Sequence, residues 1–502
     1  MNVPFTPPQG LSSDDTDFNS EGRWSSGSLI RFYNGSWQSK GGWERLSLTA
    51  LKGVCRSMLS WTDFSDILAV GFGLHNGLQV WRDSLIYDIT PAGWTDGQID
   101  GTGGRGYGTG AYGIGTYGTE SATDYFPMTW ALATWGDLLM ANPRGRGIYQ
   151  WDGIAGHVAT VVPNAPAQCN YMVVTPQRQC IAFGCNEEVS GNYNPLCIRW
   201  SDIEDNTDWT TLASNNAGEY ILESFGRIVC ARVLGDYLLV WTSTGLFLGT
   251  FLGNPGQTWK FERIGDNCGS ISPGGPCVKN LNAMWIAEDL TFWSYSLGGA
   301  PQQVICPIRS SFVNNLTAGQ SDKIVASAVS QFQEVGWFYP DSRDGFECSR
   351  SLNVGPDGWN RDLLKRTAWI DAGPQSNPLA VDPSGNVYLQ EKGNSADGAA
   401  LAGYIESADY YLSEGEGGVM LNGLWPDFKG QIGPLTLTLY LRNHPQATNI
   451  RTHGPWTLTP GQEKKSFRAS GRIARVRFDF NSSPAYVRGG KPEFDVQPLG
   501  GR

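Results

Sequence analysis

The chain has 502 residues, a formal net charge of −11, 64 Gly, 28 Pro and 20 Trp, and only 17% charged residues. This is a β-rich globular composition. No run reaches the roughly 18 apolar residues of a membrane-spanning helix, and the opening MNVPFTPPQG lacks the basic-then-apolar order of a secretory signal, so neither a membrane span nor export by a cleaved signal is expected. Charge is unevenly placed: from Lys429 onward 12 Lys and Arg stand against 4 Asp and Glu, a net of +8, which leaves −19 on the rest. Such a split suits a charged partner or a neighbouring copy of the same chain; the plainer alternative is a solvated sheet face.

Residues 1–25 are rich in Pro, Ser and Asp without periodicity and predict an extended arm. The following SLIRFYNGSWQSKGGWERL alternates apolar positions around Asn34-Gly35 and Gly41-Gly42, a hairpin signature that opens the next region. From there a loose repeat emerges, in which a strand, a tight polar turn and a second strand bearing an aromatic precede a more variable segment. It occurs over Asp66–Pro91, Trp130–Gly153, Tyr171–Trp200, Ile228–Gly253, Cys277–Ile305, Ile324–Asp357 and Thr367–Lys392. Four-stranded units of roughly 40–50 residues, repeated radially, bury a continuous core and leave short edges. The predicted fold is therefore all-β, with a β-propeller of about six to eight blades over 26–392; an array of sandwiches matches the local pattern less economically.

One stretch breaks the rhythm. Residues 101–118, GTGGRGYGTGAYGIGTYG, place Tyr107, Tyr112 and Tyr117 five residues apart among glycines. Such a ribbon buries too little surface to offset its backbone entropy, so it is expected to project as an inserted Gly/Tyr-rich loop. Its tyrosines are candidate contact residues, because Tyr offers large contact area at low side-chain entropy cost; a passive surface loop is the alternative.

Beyond Gly393 the character changes. NSADGAALAG reads as a hinge, and PLTLTLYLRNHP and SFRASGRIARVRFDFNSS alternate charged and apolar residues, which predicts a C-terminal β-sandwich over 393–502 with one polar face. On it Arg472, Arg475 and Arg477 are the candidate partner-facing residues.

Motifs for chemistry are missing from the sequence: no GxSxG elbow, no GxxxxGK[ST] loop and no HExxH. The GxGxxG-like spacing near Gly104 has neither the preceding strand nor the following helix of a dinucleotide site. Asp202/Asp205 and Asp341/Asp344 sit in turn contexts, where Asp accepts backbone N–H bonds, although sugar-cleaving propellers do use convergent carboxylates. Trp200, Trp209, Trp241, Trp259, Trp285, Trp293 and Trp337 fit blade cores, with a glycan-binding groove as the alternative. The ten cysteines lack paired CxxC spacing and His75, His157, His444 and His453 are scattered, so reduced core thiols are expected, with one or two disulfides as the alternative, and neither a metal nor a cofactor.

Taken together, IRFYNGSWQSKGGWERL, LAVGFGLHNGLQVWRDSLIYDITPAGW, GYGTGAYGIGTYGT and the terminal RIARVRFDF and GGKPEFDVQPLGGR resemble virion structural proteins of tailed bacteriophages, above all the tail nozzle, or tail tube protein B, of short-tailed phages. The resemblance implies a non-enzymatic protein of the phage tail, made in the host cytoplasm. It further implies a homohexameric ring below the tail adaptor protein, with tail fibre or spike proteins as neighbours and transient contact with genomic DNA during ejection. A propeller-type receptor- or glycan-binding tail protein is the alternative function, motivated by the tryptophans.

Overall fold

A computed structural model describes residues 2–15, 20–101, 126–412, 417–444 and 447–499. Its described residues are almost entirely β, with one five-residue α-helix, Arg309–Val313. The all-β propeller with an attached β-sandwich is the observed architecture.

Seven four-stranded antiparallel sheets form the propeller. Blade 1 comprises Cys55–Thr62, Leu68–Leu74, Gly77–Arg82 and Leu85–Asp88. Blades 2 to 5 open on the innermost strands Trp130–Trp135, Cys169–Val174, Ile228–Leu234 and Cys277–Lys279, and blade 6 on Val325–Val329. Blade 7 takes three strands, Ala368–Ile370, Leu379–Val381 and Val387–Gln390, from the end of the repeat region. Its fourth comes from the other end: Trp43–Arg45 pairs with Val387–Gln390, in the register Gln390↔Trp43 and Tyr388↔Arg45. Successive innermost strands pack against one another round the ring, and that of blade 7 returns to that of blade 1. A strand borrowed from the N-terminal side therefore closes the circle, which leaves no open blade at the seam.

The tryptophans account for much of the blade cores. Trp209, Trp241, Trp285 and Trp337 are at most 1% exposed, and Trp200 and Trp259 are also buried; Trp293 is half-buried and donates from Nε1 to Thr291 Oγ1 at 2.8 Å. Several indole N–H groups find acceptors, as in Trp285 Nε1 to the Cys268 carbonyl and Trp337 Nε1 to the Gly275 carbonyl, whereas the buried Trp241 Nε1 meets no acceptor among the described residues.

The sandwich is built from both ends of the chain. Asn2–Pro4 pairs with Glu493–Pro498, Trp24–Ser28 with Leu401–Ser407, and the hairpin Ile30–Tyr33/Ser36–Ser39 joins Tyr486–Gly489. Residues 1–25 thus include a paired strand and a buried anchor: Phe5 is 1% exposed and meets Trp24, Tyr410 and Phe494 edge-on. The hairpin that the sequence places at the start of the propeller belongs to the sandwich instead. Its turn is as read, with Asn34 at φ 52° and Gly35 at φ 70°, the left-handed pair that a two-residue hairpin turn requires.

One hydrophobic cluster runs from the sandwich, through Leu437, Phe478 and Trp24, into blades 5 and 6 at Phe292, Trp337 and Trp359. Beside it lies a buried ionic cluster between the hairpin and blades 6 and 7. Arg31, on the hairpin, lies 3.2 Å from Glu334 and donates to Glu391 at 2.9 Å; Lys40 lies 3.0 Å from Glu334 and 2.8 Å from Asp362. Burial alone would raise the Glu334 carboxyl, but Lys40, Arg31 and the Asn360 amide outweigh it and hold it at about 2. A cavity of about 30 Å³ sits among these side chains, enough for one water.

Candidate interaction sites

Tyr107, Tyr112 and Tyr117 lie outside the described residues. The residues that flank their segment are described, and both ends are held at the same mouth of the ring. Gly101 donates its N–H to Gln320 Oε1 at 3.0 Å and its carbonyl accepts from Gln320 Nε2 at 2.7 Å. At the other end the Phe126 ring lies under the guanidinium groups of Arg144, 3.8 Å away, and Arg227, 4.8 Å away, a cation–π arrangement.

Around these anchors a polar collar crosses the mouth. Arg144 follows the second strand of blade 2, Arg227 precedes blade 4, and Asp322 and Lys323 lie in the 3-10 turn Ser321–Lys323 before blade 6. Arg144 Nη1 is 3.0 Å from Asp322 Oδ1, and Arg227 Nη2 is 3.8 Å from the same oxygen. Arg56, on the innermost strand of blade 1, makes a forked pair with Glu347 at 3.1 and 2.8 Å. Lys323, its side chain wholly buried, joins Glu347 at 3.2 Å, donates to the Phe346 carbonyl at 2.8 Å and pairs with Asp100. Blades on opposite sides of a ring can share such contacts only over its axis, so the collar crosses this mouth.

The arginine strand is placed differently from the sequence expectation. Arg472, Arg475 and Arg477 are half-buried rather than exposed. Arg477 is 3.1 Å from Glu406 and 2.7 Å from Asp479, and its guanidinium lies 3.9 Å over the Tyr404 ring. Its proton is held above the ordinary arginine range, first by the hydrogen bond to Asp479 and then by Glu406. Arg475 pairs with Glu406 at 3.6 Å and Asp409 at 3.4 Å, and Arg472 lies over Tyr411. The alternation along Ile473–Ser482 is real, but much of its positive charge meets carboxylates of the same chain. Neighbouring Arg468, by contrast, is exposed, on the edge strand Lys465–Gly471.

The remaining candidates take the roles their local sequence suggests. Asp202 Oδ1 accepts from the N–H groups of Ile203 and Asn216, and Asp205 Oδ1 from Thr207. Asp341 accepts from the Arg343 N–H and pairs with the Arg343 and Arg350 guanidinium groups. These are turn and ion-pair functions. The ten cysteines are free thiols, nine of them buried.

No protein-family model matches the chain, and no curated protein matches it. Among solved structures, BBS1N in complex with ARL6DN is similar at 11% identity and a TM-score of 0.40, over 70% of this chain and 97% of that one. The computationally designed protein Ika8 is similar at 13% identity and a TM-score of 0.38, over 70% and 99%. PorZ, a surface component of the type-IX secretion system of Porphyromonas gingivalis, is similar at 11% identity and a TM-score of 0.38, over 76% and 45%.

Proposed function

We propose that this chain is a structural virion protein of a short-tailed bacteriophage, a tail nozzle whose copies form a ring that extends and closes the DNA-ejection channel. The motivation is the order of N-terminal, Gly/Tyr-rich and C-terminal segments that resembles that family. The structural observation that supports it is the weaving of both chain ends into one body. The first and last strands pair with each other, the N-terminal side closes the propeller, and a single core joins sandwich and blades. A subunit of a conduit under internal pressure has to resist opening, and strands that are distant in sequence but paired in space make local unfolding cooperative with the whole.

The collar refines this reading. With the mouth of the propeller crossed by Arg144–Asp322 and its neighbours, DNA passes between copies and not through the propeller of any one copy. Six copies, a tail adaptor protein on one side and fibre or spike proteins around the ring follow from the family resemblance, as does transient contact with DNA. The acidic balance of the first 428 residues, −19, suits a wall past which a polyanion slides without being held.

Cryo-electron microscopy of particles that carry the chain tests the proposal. A sixfold ring around the distal channel is the expected result. Copies found singly on peripheral fibres or spikes would overturn it and favour receptor binding, and so would particles that lack the chain yet retain their DNA and infect normally.

A further inference from the structure

Blade 3 holds a feature that the assembly reading does not use. Its second strand, Cys180–Asn186, and third strand, Tyr193–Trp200, run in regular register at Phe183↔Ile198 and then slip to Cys185↔Asn194, which leaves two extra residues on the third strand. Gly184, at φ 58°, supplies the left-handed conformation that the irregularity needs. The slip brings Cys185 and Cys197 together: their Sγ atoms are 3.8 Å apart, in van der Waals contact and wholly buried. On the far side Cys197 Sγ lies 3.6 Å from Glu219 Oε2, on the outer strand of the same blade.

We infer that Cys185 and Cys197 form a latent disulfide site, a staple within blade 3 that closes when the chain meets a disulfide oxidant such as oxidised glutathione. A disulfide needs its sulfurs at about 2.05 Å. The approach required is under 2 Å, beside a register irregularity that already breaks the ladder.

The chemistry balances as two exchanges. Because both sulfurs are buried, the exchange starts from a local opening of the blade, in which one cysteine loses its proton and attacks a sulfur of oxidised glutathione, forms a mixed disulfide and releases one glutathione thiolate. The second cysteine, also deprotonated, attacks the protein sulfur of that mixed disulfide, forms the Cys185–Cys197 bond and releases the second glutathione. Two protein thiols are oxidised and one glutathione disulfide is reduced to two thiols. Contact with Cys185, burial and the nearby Glu219 carboxylate raise the Cys197 thiol far above its ordinary range, which with the burial of both sulfurs makes closure slow at neutral pH. A chain folded in a reducing compartment therefore carries the pair open and closes it afterwards in an oxidising medium.

The test uses the full chain. Purified reduced protein is incubated with oxidised glutathione at pH 8.5, quenched with acid, and its thiols are titrated in denaturant. From the ten cysteines present, eight free thiols are expected, and digestion without reductant is expected to yield a peptide pair linking Cys185 to Cys197. The Cys185→Ser variant is expected to keep its nine remaining thiols through the same treatment. Cys197→Ala serves the same purpose if the serine variant fails to fold. Ten thiols after exhaustive oxidation, or a link that joins Cys169 to Cys185 or any other pair instead, would overturn the inference. Because the readout is a covalent bond in the isolated chain, its outcome is independent of whether the chain is a nozzle.

Discussion

Arg144 Nη1 lies 3.0 Å from Asp322 Oδ1, and this contact joins blade 2 to the connection between blades 5 and 6 across the mouth of the ring. Both side chains are largely buried and Arg227 shares the same carboxylate oxygen. Removing one member of a buried pair leaves an uncompensated charge, at a cost of about 3–5 kcal/mol. Asp322→Ala is therefore expected to lower unfolding free energy in urea by that amount. A loss under about 1 kcal/mol, the worth of a surface pair, would show that water reaches the collar and that the mouth is open.

The ionic cluster between hairpin and blades gives stability an acid limit. Glu334 is held at about 2 against an ordinary 4.5, so the folded state binds its proton less readily than the unfolded one. The stabilisation is fully present above pH 4.5 and is lost as pH falls towards 2, with a total of about 3 kcal/mol at 1.36 kcal/mol per pH unit. Urea titrations between pH 2 and 6 are expected to show a shallower pH slope for Glu334→Gln than for the parent, with lower stability at pH 6. Parallel slopes would refute the assignment.

Phe5 lies near the start of residues 1–25, which the sequence presents as an extended arm, yet it is 1% exposed among Trp24, Tyr410 and Phe494. Phe5→Ala is expected to cost about 3–5 kcal/mol in denaturant unfolding. A near-neutral result would mean that the N-terminal strand is peripheral to the sandwich.

Arg477 and Arg468 are separated by their surroundings. Arg477→Glu sets a new carboxylate beside Glu406 and Asp479, the groups that now hold the guanidinium, and is expected to lower the melting temperature. Arg468→Glu, at an exposed position, is expected to leave it nearly unchanged. Equal shifts in scanning calorimetry would return Arg477 to the status of a surface residue free to face a partner.

Much of the fold is legible because its signals are local. The seven strand-turn-strand repeats correspond to the seven blades, and the strand-borne tryptophans Trp241, Trp285 and Trp337 are core residues, as their contexts suggest. The limits of that reading appear where a residue's role depends on what lies opposite. Alternation along Arg472–Phe480 marks a strand with one polar face, but it carries no record of Glu406 and Asp409, which stand more than sixty residues earlier and neutralise that face. Nor do Arg144 and Asp322, 178 residues apart, share any spacing that announces a pair.

By itself the sequence determines that this chain is all-β, that it repeats, that Asn34-Gly35 turns a hairpin, and that the chain from Lys429 onward is basic while the rest is acidic. Each of these follows from side-chain alternation, turn chemistry and composition, which act over a few residues. Only the tertiary structure decides where the hairpin goes, which strand completes blade 7, and which charges meet over the channel mouth. An open strand edge accepts any strand with free N–H and C=O groups, so the choice of Trp43–Arg45 for Val387–Gln390 is made by the shape of the closed ring and the burial it offers, not by a local pattern.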